Sequence, residues 1–301
     1  MNRDWDKIAR MLEAFPDMLN AEEFKRQLQS FPSPFQRAMQ NSAYDKGRST
    51  FTVTGLLSPP QRTWLGTFNQ RMETPYGSFA ALMGTAIHTV LESHVNAESG
   101  EVAEQRMFAE MHGITVSGQL DLWENGTLFD YKSTRGVQDE MKPDHYKQVN
   151  MNAYLAELNG LHSENVGVVY IQMDWSYMTS TVNPNYPQSP FRIFIHPYNE
   201  QIAKTTLDKA IPEHIAALDG KPRPCTREEK WQKDDSYALM KPDAKRASKV
   251  CNSMEEAQAE LKPGQIIQVR KGESTFCKMF CGFKHCCPQF KMESLSTNQE
   301  P

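Results

Sequence analysis

The stretch "VSGQLDLWENGTLFDYKSTRG", residues 116–136, constrains this chain more than any other. Asn125-Gly126 divides two alternating runs of apolar and polar residues. That is the pattern of a two-residue hairpin, whose type I′ turn needs positive φ at both central positions. The short loop sets the register outward: Glu124 opposite Thr127, Trp123 opposite Leu128, Leu122 opposite Phe129, and Asp121 opposite Asp130. Extended further, it places Leu120 opposite Tyr131 and Gln119 opposite Lys132. Side chains alternate along a strand, so Leu120, Leu122, Phe129 and Tyr131 share a face expected to pack on a helix. Gln119, Asp121, Asp130 and Lys132 share the other. Two directly opposed carboxylates repel, and a divalent cation between them turns that repulsion into binding. Mg²⁺ is commonly held by one or two carboxylates with water and phosphate oxygens. Lys132, on the same face, is placed to orient or deprotonate an attacking water, or to stabilise charge on phosphate. Taken alone, the hairpin is better explained as a solvated polar face at a sheet edge.

The flanking segments suggest an α/β architecture. "SFAALMGTAIHTVLESHV" repeats Phe79, Leu82, Met83, Ile87 and Leu91 on one helical face, and "PDHYKQVNMNAYLAELNG" reads as a helix closed by Gly160. "NVGVVYIQMDW" and "SPFRIFIHPY" read as strands, followed by a helix interrupted near Pro212. The order helix, hairpin, helix, strands, helix predicts a mixed central sheet flanked by helices. Three regions are expected: an N-terminal helical region over 1–50, a core over 51–224, and a C-terminal module over 225–301 that contains a small β-α-β unit.

All six cysteines lie in that last region: Cys225, Cys251, Cys277, Cys281, Cys286 and Cys287. Such clustering in an intracellular chain points to metal rather than disulfides. "CKMFCGFKHCCPQF" offers C-x3-C-x5-C through Cys287, or C-x3-C-x4-C through Cys286. A four-thiolate site then needs a further ligand, for which Cys225 is the first candidate and Cys251 the second. Spacing leaves zinc and an iron–sulfur cluster both open.

Four short motifs in order, over about residues 55–175, resemble the RecB-like branch of the PD-(D/E)XK nucleases. They are Gly84 and His88 in "GTAIH", Asp121 in "GQLDL", Asp130 and Lys132 in "DYK", and Gln148 in "HYKQVNMNAYLAEL". The resemblance implies a restriction-endonuclease-like core. It implies His88, Asp121 and Asp130 as ligands of Mg²⁺ or Mn²⁺, completed by the Tyr131 carbonyl, with Lys132 as the catalytic lysine and Gln148 lining the site. The family's helix carries Tyr four residues after Gln; here Asn152 holds that place, and Tyr154 lies two residues beyond. Members with a C-terminal four-cysteine [4Fe–4S] cluster imply the set Cys225, Cys277, Cys281 and Cys287, with Zn²⁺ as the alternative. The implied activity is a DNA exonuclease working on single strands or free ends in recombination, repair or phage DNA processing. A helicase or recombination partner and a cytoplasmic setting go with it. Two other readings are a non-catalytic nucleic-acid-binding protein with a decayed core and a zinc-stapled adaptor for a protein partner.

Net charge is −4, which argues against a general polyanion binder. Yet residues 221–291 carry 15 Lys/Arg against 9 Asp/Glu, so a local anion-binding surface is expected there, including Lys278, Lys284 and Lys291. No apolar run is long enough to span a membrane, and the N-terminus lacks a signal-peptide pattern.

Overall fold

The computed structural model describes residues 26, 28–40, 46–72 and 75–297. The helical region expected over 1–50 falls largely outside them; within it, Ser33–Gln40 is a helix. The described chain divides into two compact units. One takes the described residues of Met1–Ser58 and Glu73–Pro222, the other Pro59–Met72 with Arg223–Pro301. Residues 59–72, read from sequence as part of the core, thus belong with the C-terminal segment.

In chain order the first unit runs β1 (Phe51–Thr52), α1 (Val53–Leu56), α2 (Pro75–Glu92), β2 (Val102–Ala103), β3 (Arg106–Met111) and β4 (Ile114–Gln119). It continues with β5 (Leu122–Glu124), β6 (Thr127–Thr134), α3 (Pro143–Leu158), β7 (Asn165–Gln172), α4 (Tyr177–Val182), β8 (Phe191–Pro197) and α5 (Glu200–Leu218). A five-stranded sheet has the order β2-β5-β6-β7-β8, and a three-stranded sheet the order β1-β4-β3. Only β6/β7 in the larger sheet and β1/β4 in the smaller pair in parallel. The fold is therefore mixed α/β with mixed sheets flanked by helices.

Asn125 and Gly126 both adopt positive φ, 48° and 74°, as the I′ turn demands. The pairs Glu124–Thr127, Trp123–Leu128 and Leu122–Phe129 form as expected. The ladder then stops. Asp121 lies in a bend, and Gln119 belongs to β4, where it pairs with Arg106 of β3 instead of Lys132. Leu120 likewise turns away from Tyr131: its N–H donates to the Gln105 carbonyl at 3.2 Å. The chain switches sheets at 120–121, so β6 beyond Phe129 pairs only with β7, through Thr134. Asp130–Thr134 consequently has one open edge.

β6 meets helices on both faces: the Tyr131 face meets α2 as expected, with the His88 ring edge-on to Tyr131 at 5.9 Å. Parallel strands need a long crossover, and α3 serves as that crossover between β6 and β7. It covers the face carrying Leu128 and Asp130, 0% and 4% exposed, rather than the Phe129–Tyr131 face. The core joins Leu128, Val166, Val168 and Tyr170 of the sheet to Val149, Met151 and Leu155 of α3 and Leu207 and Ile211 of α5. Gly160, at φ 86°, closes α3 after its last turn as the sequence indicated. Helix α5, by contrast, runs unbroken through Pro212.

The second unit begins with the helix Pro60–Phe68, whose Leu65 packs with Phe283 and Cys287. The Met72 N–H donates to the Gly282 carbonyl at 2.9 Å, where a Cβ would lie 2.6 Å from the Met72 oxygen. β9 (Ser236–Met240), β10 (Lys249–Cys251) and β11 (Ile266–Arg270) form an antiparallel sheet with β9 central. Helix α6 (Met254–Glu260) packs on it around Leu239, Cys251 and Ala257. This is the expected small unit with one added strand. Helices α7 (Thr275–Met279) and α8 (Pro288–Thr297) follow. No helix among the described residues is long and apolar enough to cross a membrane.

Candidate metal centre and cysteine pocket

An open cleft of about 390 Å³ lies at the free edge of β6, lined by His88, Glu104, Gln119, Asp121, Asp130, Tyr131, Lys132, Gln148 and Asn152 among others. Each group arrives for a local reason. The bend after β4 turns Asp121 back toward β6, where its Oδ2 accepts the Tyr131 N–H at 2.7 Å. Lys132 follows Asp130 by two residues on one face, and its Nζ lies 2.9 Å from Asp130 Oδ2. Gln148, on α3 above that face, donates to Asp130 Oδ1 at 2.9 Å. Although Oδ2 is ion-paired, its contact lacks hydrogen-bond angles, leaving this buried oxygen with an unused lone pair.

Glu104 was not foreseen. Its Oε1 lies 3.2 Å from His88 Nδ1, which is itself 3.6 Å from Asp121 Oδ1. One ligand atom each from His88, Glu104 and Asp121 falls within 4.8 Å of the others, so the three could hold a metal ion. Gln119, anchored by Arg106, donates to the other Glu104 oxygen. Glu104 has φ 50°, a left-handed conformation unusual for a non-glycine residue. Such strain persists where surrounding contacts over-determine it, often at functional sites.

Tyr154 points elsewhere: its ring packs at the core's margin, with Lys204 of α5 5.5 Å from its centroid. Asn152, one turn past Gln148, lines the cleft, and its Oδ1 is buried without a hydrogen-bond partner. A Cβ on Gly118 would lie 2.3 Å from that oxygen, so the glycine admits close approach of α3 to β4.

Charge crowding is visible in the titration of these groups. Burial, reinforced by Asp130, pushes the Asp121 carboxyl from 3.8 up to about 7. The hydrogen bond to Glu104 raises His88 despite burial. Burial pulls Glu104 upward, but its bonds with His88 and Gln119 hold it below the usual carboxylate range. A stability effect follows. Below pH 3.8 Asp121 is neutral folded or unfolded; as pH climbs toward about 7 the folded state must ionise a buried acid, and that contribution is lost. In chelator, Asp121→Asn should therefore melt above the parent by several degrees at neutral pH, with the gap closing toward pH 4. Calorimetry across that range checks it, and a pH-independent difference would contradict it.

In the second unit Cys225, Cys277, Cys281 and Cys287 line one cavity, together with Arg62, Lys230 and Phe276. Gln289 of α8 clamps the Cys225 backbone, accepting its N–H at 2.8 Å and donating to its carbonyl at 3.0 Å. Neither alternate lines this cavity. Cys251 is buried beneath α6, and the Cys286 thiol donates to the Phe283 carbonyl at 3.3 Å. All six cysteines are free of disulfides. Burial, with neighbouring carboxylate and thiol groups, pushes Cys225 up to about 12; burial and the adjacent thiols push Cys277 up to about 11. Without a cation to bind, these thiols stay protonated.

No protein-family model matches the chain, and no curated protein matches it. Among solved structures it is similar to the crystal structure of SSO0001, at 18% identity and TM-score 0.47, over 67% of this chain and 91% of that one. It is also similar to a "Putative exonuclease" from Eubacterium rectale, at 12% identity and TM-score 0.31, over 71% of this chain and 89% of that one. Likenesses of this strength assign no activity, and the site is read from its own geometry.

Proposed function

We propose that the chain is a metal-dependent DNA nuclease with a RecB-like PD-(D/E)XK core, working as an exonuclease on single strands or free ends. The observation that carries this is the convergence of Asp121, Asp130 and Lys132, with His88 and Glu104, on one open strand edge. The donor set suits Mg²⁺ or Mn²⁺: hard oxygens, one imidazole, and a buried Asp130 oxygen with a lone pair unused. Such an ion supplies charge neutralisation at the phosphoryl oxygens. The protein's own groups do the rest. Asp130, gripped by Gln148, keeps Lys132 beside the edge, where its ammonium can steer a water or stabilise charge building on phosphate. The Tyr131 N–H fixes the Asp121 carboxylate. A binding module with a decayed core has no use for this complete set.

DNA as partner draws support from Arg192. Lys132 pairs with Tyr170 and Tyr170 with Arg192, so the three form one row across the sheet. Arg192 is exposed at the far end, suited to a neighbouring phosphate. Beside Tyr170, His145 Nδ1 lies 2.8 Å from the phenol oxygen. Burial, aided by Lys132 and Lys142, lowers His145 to about 4, so it stays neutral. The test is degradation of end-labelled single- and double-stranded DNA with Mg²⁺ or Mn²⁺, abolished by EDTA; no metal-dependent cleavage of either substrate would defeat the reading. In Ca²⁺, Arg192→Ala should lower the salt slope of single-strand binding by about 0.7, one phosphate contact.

The four-thiol pocket fits a structural metal group of the C-terminal module. No three of the described thiol sulfurs lie within 4.8 Å of one another. Tetrahedral zinc with bonds of about 2.3 Å requires a tighter set. The wider spread favours a [4Fe–4S] cluster over Zn²⁺. Its role is a staple that ties the segment at Cys225 to the C-terminal segment of Cys277, Cys281 and Cys287.

A further inference from the structure

The cysteine pocket contains an unanswered positive charge. Arg62, from the helix Pro60–Phe68, lines it beside all four thiols, and its Nε is buried without a hydrogen-bond partner. Its guanidinium carbon stands 5.6 Å from the Phe276 ring centroid, a weak substitute for an anion. Burial, then the nearby charge of Arg71, lowers the Arg62 pKa, which marks two guanidiniums close enough to repel. Lys230 also lines the pocket, but Glu293 already pairs with it at 2.6 Å. The Arg62 Nε–H has no acceptor among its contacts in the pocket, and leaving a buried donor unsatisfied is destabilising. Four thiolates holding a metal or cluster carry net negative charge and accept hydrogen bonds at sulfur.

We propose that Arg62 is a positioning residue for the group held by Cys225, Cys277, Cys281 and Cys287, balancing its negative charge from a distant part of the chain. This rests on the reading of the pocket as a metal site and is independent of nuclease activity. It gives the helix Pro60–Phe68 an electrostatic tie to the C-terminal cysteines beyond the packing of Leu65. It also makes the effect of Arg62 on stability change sign with occupancy.

The experiment uses the full chain, purified anaerobically, with iron and zinc measured and metal release to a chelator followed by absorbance. In Arg62→Met, metal affinity should fall about 10- to 100-fold, the range typical of lost outer-shell partners. Arg62→Lys should recover part of that loss. If the metal is iron, the Arg62→Met cluster should reduce at a more negative potential, because a nearby cation favours the added electron. Stripped of metal, Arg62→Met should melt above the stripped parent, the reverse of its effect when loaded. This opposite sign separates the proposal from simple misfolding. A parent that binds neither metal overturns both the pocket reading and the role of Arg62. A loaded parent whose affinity is untouched by Arg62→Met overturns the role of Arg62 alone.

Discussion

Asp130→Asn and Lys132→Met should each reduce metal-dependent DNA cleavage by at least about 10²–10⁴-fold, the contribution typical of a positioned proton-transfer group. The two losses should not add. Lys132 Nζ sits 2.9 Å from Asp130 Oδ2, so removing the carboxylate also frees the lysine, and the double variant should resemble the worse single one. Folding is the control. Asp130 is 4% exposed, and a buried pair that loses one partner costs several kcal/mol. Activity must therefore be compared below the melting temperature of each variant. Asp130→Asn retains an oxygen acceptor for Gln148, which donates at 2.9 Å, and should be the less destabilised. Full cleavage by folded protein of both variants would end the nuclease assignment at this cleft.

Serine substitution at Cys225, Cys277, Cys281 or Cys287 should release the bound metal and lower Tm by roughly 10 °C or more. Structural metal sites contribute about 10–16 kcal/mol of apparent folding energy in small domains. In a chain of this size, 1 kcal/mol shifts Tm by about 2–4 °C. Cys286→Ser should keep the metal, since its thiol is engaged with the Phe283 carbonyl. Cys251→Ala should keep it too, at the smaller expense of a cavity under α6. Elemental analysis and calorimetry on the six variants give the comparison. Equal metal loss in Cys286→Ser and Cys287→Ser would contradict the chosen ligand set.

Much of this was legible because some signals are local. The Asn125-Gly126 turn and period-two alternation specify six cross-strand pairs, of which the three nearest the turn form. The register failed one step later, at Asp121, because its strand leaves for another sheet, a tertiary decision no turn encodes. Asp121 still reaches the site, through the Tyr131 N–H instead of the ladder. Glu104 escaped notice because it lies outside any periodic segment, and its left-handed φ is not a residue preference. Helical spacing could have pointed to Asn152: it follows Gln148 by one turn, whereas Tyr154 is rotated toward Lys204. The cysteine spacing left Cys286 and Cys287 both open, and the turns around Phe283 separate them. Arg62 carries no motif at all; only packing brings it to the thiols.

The second unit is discontinuous in the chain, with residues 59–72 closing on 223–301 and most of the first unit falling between them. During synthesis the helix Pro60–Phe68 emerges early, and Phe283 and Cys287 emerge near the end. Its apolar face must wait, exposed, while the intervening sheet is made. Contacts of such long sequence separation form late, after the entropy of closing a very long loop has been overcome. Cutting the chain near residue 222 would therefore not liberate a tidy catalytic fragment; it would strand that helix without its partners. A circular permutant that joins residue 301 to residue 1 and opens between residues 72 and 73 would bring the helix and the C-terminal cysteines closer in order of synthesis. Such a permutant offers a way to ask whether late closure limits the yield of native protein.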